Sequence, residues 1–223
     1  MIRLDMRRLL FLLFSICHIV AYAEDITPSM GDIIEIDGYK AIVFYVDESG
    51  KHGKAMYVKA FRGVDEPWCC SGKHARKLPY LANTEDGKEN TAAVLKYASD
   101  HNSINFFPVF NWCKNLGKNW YIPSLKELES FINFWLGNEE ILNWDEDSET
   151  VVNSEKTFFK EINKKLSDAD GIPFINGVYT STVDTDGKVY VFNYDRRKNT
   201  WSLKRKSITN LGQDNVGRAF ITF

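Results

Sequence analysis

The 223 residues carry 28 Lys/Arg against 30 Asp/Glu, a net charge of −2, and 44% of them are apolar. That is enough for one well-buried core and too little positive charge for a general nucleic-acid binder, whose electrostatic footprint is basic. The four cysteines show no CxxC spacing, which makes a zinc module a poor fit.

The first residues read as a leader rather than as fold. Arg3, Arg7 and Arg8 precede an apolar run from Leu9 to Val20, and Ala21-Tyr22-Ala23 is a small-x-small cleavage site. The run is too short to span a bilayer, and no second apolar span follows it. We therefore expect a signal peptide over 1–23 and an exported mature chain, periplasmic, cell-surface or secreted, with no transmembrane segment after cleavage. Cys17 invites a lipid anchor, but Ile16 stands where a lipidation box wants a small residue. The leader takes with it three of the 28 basic and one of the 30 acidic residues, so the net charge falls from −2 to −4.

Residues 24–32 read as a flexible lead-in, and 33–223 as one domain. Ile33 to Ile36 and Tyr39 to Val46 flank Asp37-Gly38, a two-residue hairpin signal. A second turn over 48–53 leads to a third strand over 55–61, completing an antiparallel meander. Residues 62–88, with Pro67, Trp68, Cys69, Cys70 and Pro79, form an irregular stretch long enough to need a pin.

Three helical periods follow. The first covers 89–99 with Ala93, Val94, Tyr97 and Ala98 inward. The second starts at Pro108 and puts Val109, Trp112, Cys113 and Leu116 on one face, with Gly117 after it. The third is the strongest local signal. Pro123 keeps Ile122 extended, Ser124 and Glu127 form a capping box, and Leu125, Leu128, Phe131, Ile132, Trp135 and Leu136 make an apolar stripe up to Gly137. Phe158, Phe159, Ile162 and Leu166 mark a fourth helix. The period then returns to two, with strands over 178–182, 189–194, 200–208 and 216–223. Strands at both ends with helices between them give an α+β fold with the Ser124 helix on antiparallel sheet.

These segments in this order have a likeness. The series runs through Glu85-Asp86-Gly87-Lys88-Glu89-Asn90-Thr91, Pro108-Val109-Phe110-Asn111-Trp112-Cys113 and Trp120-Tyr121-Ile122-Pro123-Ser124 with Glu127-Leu128. It continues through Ile162 to Leu166, Tyr179-Thr180-Ser181-Thr182 and Gly217-Arg218-Ala219-Phe220. From Ile33 to Phe223 the chain resembles exported bacterial domains of unknown function related to the C-terminal domain of collagen-like adhesins. Family members often carry Trp-Ser-Ser-Thr where this chain has Tyr179-Thr180-Ser181-Thr182. The resemblance implies a C-type-lectin-like fold, more remotely similar to the formylglycine-generating sulfatase-modifying proteins. It implies an adhesin-like surface or envelope binding module. The Glu-Pro-Asn and Trp-Asn-Asp motifs of calcium-dependent lectins are absent from the sequence, so calcium-dependent sugar binding is not implied.

Export permits disulfides, and Cys113 lies on an inward helical face, so we expect Cys113 to pair with Cys69 or Cys70 and to pin the long loop. His52, His74 and His101 are scattered and read as surface residues. Asp184-x-Asp186-Gly187 lacks the later ligands of a calcium loop and reads as a turn. Asp145 to Glu149 reads as a solvated acidic loop. No metal, cofactor or catalytic residue is assigned. The most suggestive stretch is Arg196-Arg197-Lys198 and Lys204-Arg205-Lys206 around Trp201, a local reversal of sign in an acidic chain. Alternation puts Trp201, Leu203 and Arg205 on one face and Ser202, Lys204 and Lys206 on the other. Arg196, Arg197, Trp201, Lys204 and Arg205 are the candidate ligand-binding residues, for an acidic glycan or an envelope or surface protein. The expected function is a non-catalytic exported binding module. The alternatives are a formylglycine-generating-type oxidase using the cysteines, or a structural subunit of a surface assembly.

Overall fold

The computed structural model describes residues 27–62, 68–78, 85–135, 157–195, 197, 200–209 and 215–223. The acidic run over 145–149 and the expected leader lie outside the described residues. Strands β1 (Ile33–Ile36), β2 (Tyr39–Val46) and β3 (Gly53–Tyr57) form the expected meander. Asp37 and Gly38 turn between the first two with φ of 54° and 80°. Both values are positive, as a type I′ hairpin requires, and Ile36 lies opposite Tyr39. The register shifts between Val43 and Tyr45. On β2 the run Ala41 to Phe44 is buried on both faces. From Ser29 onward the expected lead-in is tied to this sheet, because Gly31 N–H donates to Val43 O (2.8 Å) and Val43 N–H to Asp32 O (2.9 Å).

The helices follow as α1 (Gly72–Ala75), α2 (Gly87–Asp100), α3 (Pro108–Leu116), α4 (Leu125–Trp135) and α5 (Thr157–Asp168). Helix α2 starts two residues earlier than the apolar period indicates, because Asp86 caps it by accepting from Glu89 N–H at 2.9 Å. Between α3 and α4 lies the short strand β4 (Trp120–Tyr121). Helix α4 packs on β2 and on β5 (Gly177–Val183), and Leu128, Phe131, Ile132 and Trp135 are all buried. Strands β6 (Lys188–Asp195) and β7 (Thr200–Ser207) complete a second meander with β5.

The end of the chain departs from the single expected strand. It forms β8 (Asn215–Val216) and β9 (Phe220–Thr222), which belong to different sheets. One sheet has the order β1-β2-β3-β9-β4 and the other β7-β6-β5-β8, and among the described residues only the two-residue β5–β8 pairing is parallel. The crossing is made by Gly217, Arg218 and Ala219. Gly217 exchanges both backbone hydrogen bonds with Phe61 (2.9 and 3.1 Å). A Cβ on Gly217 would lie 2.4 Å from Val109 Cγ2, so only glycine fits. Arg218 turns inward and is fully buried. Its Nη1 donates to Val58 O (3.2 Å) and its Nη2 to Ile172 O and Pro173 O (2.8 and 3.1 Å), and its guanidinium lies 5.4 Å from the centre of the Phe174 ring. The protein is thus a mixed α/β fold with two antiparallel-rich sheets, joined at this buried arginine.

Candidate functional site

Strand β7 lies at the edge of its sheet, with β6 on its inner side. The register pairs Tyr194 with Trp201, Phe192 with Leu203, Val191 with Lys204 and Tyr190 with Arg205. Cross-strand partners share a face, so Leu203 and Arg205 stand on one side, and Ser202, Lys204 and Lys206 on the other. Lys206 Nζ donates to Asn193 Oδ1 at 3.1 Å, as this register allows. Lys204 and Arg205 are exposed, and so is Arg197 beyond the end of β6. Arg196 and the side chain of Trp201 lie outside the described residues.

The turn before β6 bears on this patch in a way the charge pattern does not reveal. Asp184 Oδ1 accepts from the N–H groups of Asp186 (2.9 Å) and Lys188 (2.8 Å), which accounts for the Asp-x-Asp-Gly segment as a turn. Asp184 Oδ2 then accepts from Arg205 Nη1 at 3.3 Å, with Asp186 Oδ2 at 3.9 Å from the same nitrogen. Two carboxylates therefore offset the charge of Arg205, and its face of the hairpin is not a purely cationic one.

The expected disulfide is not formed: Cys69, Cys70 and Cys113 are all thiols. Cys69 and Cys113 are enclosed in the core, and Cys70 is exposed. Cys69 Sγ donates to Ser71 O at 3.3 Å. Burial pushes both enclosed thiols up, well above the ordinary thiol value for Cys113, and so holds them protonated. What pins the long loop is Trp68. Its indole is buried edge-on to Phe110 with ring centres 4.6 Å apart, and its Nε1 donates to Thr180 O at 3.0 Å. Backbone bonds from Cys69 N–H to Ile208 O (3.0 Å) and Cys70 N–H to Phe106 O (2.9 Å) complete the attachment.

Two of the scattered histidines, His74 and His101, share Tyr97 as a partner. His74 Nδ1 lies 3.1 Å from the Tyr97 hydroxyl, and its ring stacks on Phe106 with centres 4.8 Å apart. His101 stacks on the Tyr97 ring at 4.2 Å. His101 lies four residues after Tyr97, a spacing that brings side chains together on one helical face. His74 comes from α1 and carries no such signal. His52 stays exposed in its turn. Among the described residues no group of three or more His, Cys, Asp or Glu side chains could hold a metal ion.

Most of the buried polar side chains among the described residues gather around the start of α4. The capping box is reciprocal: Glu127 N–H donates to Ser124 Oγ (3.3 Å), and Ser124 N–H to Glu127 Oε2 (3.0 Å). The same Oε2 accepts from Gly87 N–H (2.9 Å), while Oε1 accepts from Lys54 Nζ (2.7 Å) and the Tyr121 hydroxyl (2.8 Å). Next to it, Ser181 donates from both N–H and Oγ to Pro123 O (2.7 and 3.1 Å), and Asn90 Nδ2 donates to Ser181 Oγ (3.3 Å). Leu125 N–H donates to Thr182 Oγ1 at 3.0 Å. The Thr180-Ser181-Thr182 run thus ties β5 to α2 and α4. It is enclosed, so its part is architectural. Comparison with family models and with curated proteins returns no match for the chain.

Proposed function

We propose that this chain is a non-catalytic, exported binding module that recognises an acidic ligand, a sulfated or uronic-acid-bearing glycan, through the β6–β7 hairpin. The observation that carries the reading is an edge strand presenting Lys204 and Arg205 to solvent, with Arg197 exposed at the hairpin's end. Guanidinium and ammonium groups pair with carboxylate and sulfate, and an indole at position 201 adds a stacking surface for a sugar ring. The bonds from Arg205 to Asp184 and Asp186 leave Lys204 as the stronger attractor of the two. The C-type-lectin-like assignment belongs to the same proposal. It is supported by β9 entering between β3 and β4, which brings the two ends of the domain into one sheet.

An oxidase of the formylglycine-generating type needs two activated thiols facing a shared cleft. Enclosed, protonated Cys69 and Cys113 favour the binding module over that chemistry. A structural subunit of a surface assembly would instead show itself by retaining envelope protein in a pull-down without any glycan preference. The test is a glycan array at two salt concentrations. Acidic glycans should bind, and their binding should weaken as salt rises, since exposed charges are screened over about 8–10 Å near physiological ionic strength. Retained binding in an Arg197→Ala, Lys204→Ala, Arg205→Ala triple variant would remove the hairpin from the account.

A further inference from the structure

Between β2 and α4 the surface opens into a cleft of about 350 Å³, within the range of sites that hold small organic molecules. Its apolar parts come from Phe44 and Phe134, both buried, and from Met30 and Tyr45, two of the four exposed large apolar side chains among the described residues. Its polar wall is a stripe of α4, with Lys126, Glu129, Ser130 and Asn133 at positions i, i+3, i+4 and i+7.

Lys126 and Glu129 give this wall one charge of each sign, with the lysine at the exposed rim and the acceptors on the buried side. Glu129 is only 14% exposed, and its ion pair is with Lys126, at 3.0 Å and itself half exposed at the rim. Burial raises the pKa of Glu129 despite that lysine, and the charge of Glu85 acts in the same direction. A desolvated carboxylate with one exposed partner has acceptor capacity left over. Asn133 adds a carbonyl oxygen, Oδ1, that is buried without a hydrogen-bond donor among the described residues. Aromatic faces carry negative potential and attract cations. Carboxylate and amide oxygen therefore ask for the same ligand group, a positively charged nitrogen bearing hydrogens, and the aromatic lining tolerates it.

We propose that the cleft between β2 and α4 binds a small organic cation, a primary ammonium on a flat apolar body, with the ammonium on Glu129 and Asn133 and the body against Tyr45, Phe44 and Met30. The site uses none of the hairpin residues and stands or falls separately from the acidic-ligand reading. An anion would have to approach Glu129, and a neutral apolar molecule would leave Asn133 Oδ1 without a donor.

The experiment is calorimetric titration of the purified protein with 2-phenylethylamine, and with 3-phenylpropionate and ethylamine as comparators. The amine with the aromatic body should bind at least about tenfold tighter than either comparator, since each lacks one half of the match. Glu129→Gln, which keeps the side-chain shape, should weaken it by about tenfold. Tyr45→Ala alters an exposed ring on which the core does not depend, and should weaken it several-fold. The proposal is overturned if 3-phenylpropionate binds as well as the amine, or if Glu129→Gln leaves the amine's affinity unchanged. It is also overturned if the amine shows no saturation below about 10 mM, the weakest affinity a fragment of this size gives when its atoms are engaged.

Discussion

Replacing Glu127 by alanine should destabilise the protein far more than the loss of a helix cap. The carboxylate accepts from four groups, and two of them, the N–H groups of Gly87 and Ser124, are buried backbone donors that cannot turn elsewhere. Each buried donor left without an acceptor costs about 1–3 kcal/mol. Lys54 is 32% exposed and can return to water, and the Tyr121 hydroxyl keeps Thr222 Oγ1 at 3.4 Å, so neither adds a full penalty. The expected loss is about 3–5 kcal/mol, which is also the range for breaking a buried charged pair. For a domain of this size that lowers Tm by roughly 6–20 °C. Ser124→Ala, which removes the hydroxyl half of the same box and leaves the carboxylate in place, should cost only about 1 kcal/mol. Urea denaturation of the three proteins under identical conditions gives both differences. If Glu127→Ala costs no more than Ser124→Ala, the carboxylate is not the junction between α2 and α4 that the geometry makes it.

Alkaline stability should fall through Tyr121, whose pKa burial and the neighbouring Glu127 carboxylate raise above the ordinary value of 10.0. Above pH 10 the unfolded chain loses this proton while the folded one keeps it, so stability declines as pH rises from about 10, by up to ~1.4 kcal/mol per pH unit. Tyr121→Phe should flatten that decline in denaturation curves taken at pH 9 to 12, and an unchanged slope would refute the assignment. Under native conditions iodoacetamide should label Cys70 readily, and Cys69 and Cys113 only after unfolding. Mass mapping that finds a native bridge to Cys113 would contradict the thiol assignment.

Much of the fold was legible because its signals are local. The Asp37-Gly38 turn, Pro108 at the head of α3, and the Ser124–Glu127 box each fix a boundary through groups a few residues apart. What stayed hidden depends on groups far apart in sequence. Nothing near Glu127 announces Lys54, 73 residues away, or Gly87, 40 residues away. A Cβ on Gly87 would lie 2.4 Å from Ile122 O and 2.6 Å from Glu127 Oε2, so this helical glycine is set by close approach. The split of the last strand is the clearest case. An arginine in an alternating strand reads as a surface residue, yet Arg218 is buried because carbonyls of Val58, Ile172 and Pro173 converge on it. Burial pushes its pKa down to about 9, still well above neutrality, so it stays charged inside the core. A charge held this way needs a fixed cage, and the crossing between the two sheets supplies it.

The sites divide along the same line. The excess of positive charge between Arg196 and Lys206 is visible in the sequence, and in the register of β7 Lys204 and Lys206 fall on the face opposite Arg205. Its partial neutralisation depends on three strands in register, because the turn before β6 must fold back level with Arg205 for Asp184 to reach it. The disulfide expectation failed for a related reason. An inward cysteine and a leader-like first segment point to a bridge in the sequence, but the pin of the long loop is an indole bonded to Thr180 O, 112 residues from Trp68. The cleft on α4 was half legible. Lys126, Glu129, Ser130 and Asn133 recur at helical spacing, but a polar helical stripe by itself means only a solvated face. It becomes a candidate site because β2 bulges between Val43 and Tyr45 and leaves the Tyr45 ring exposed beside Met30. The chemistry of the wall is written in one helix, and the cavity that would make it selective is made by the strand opposite.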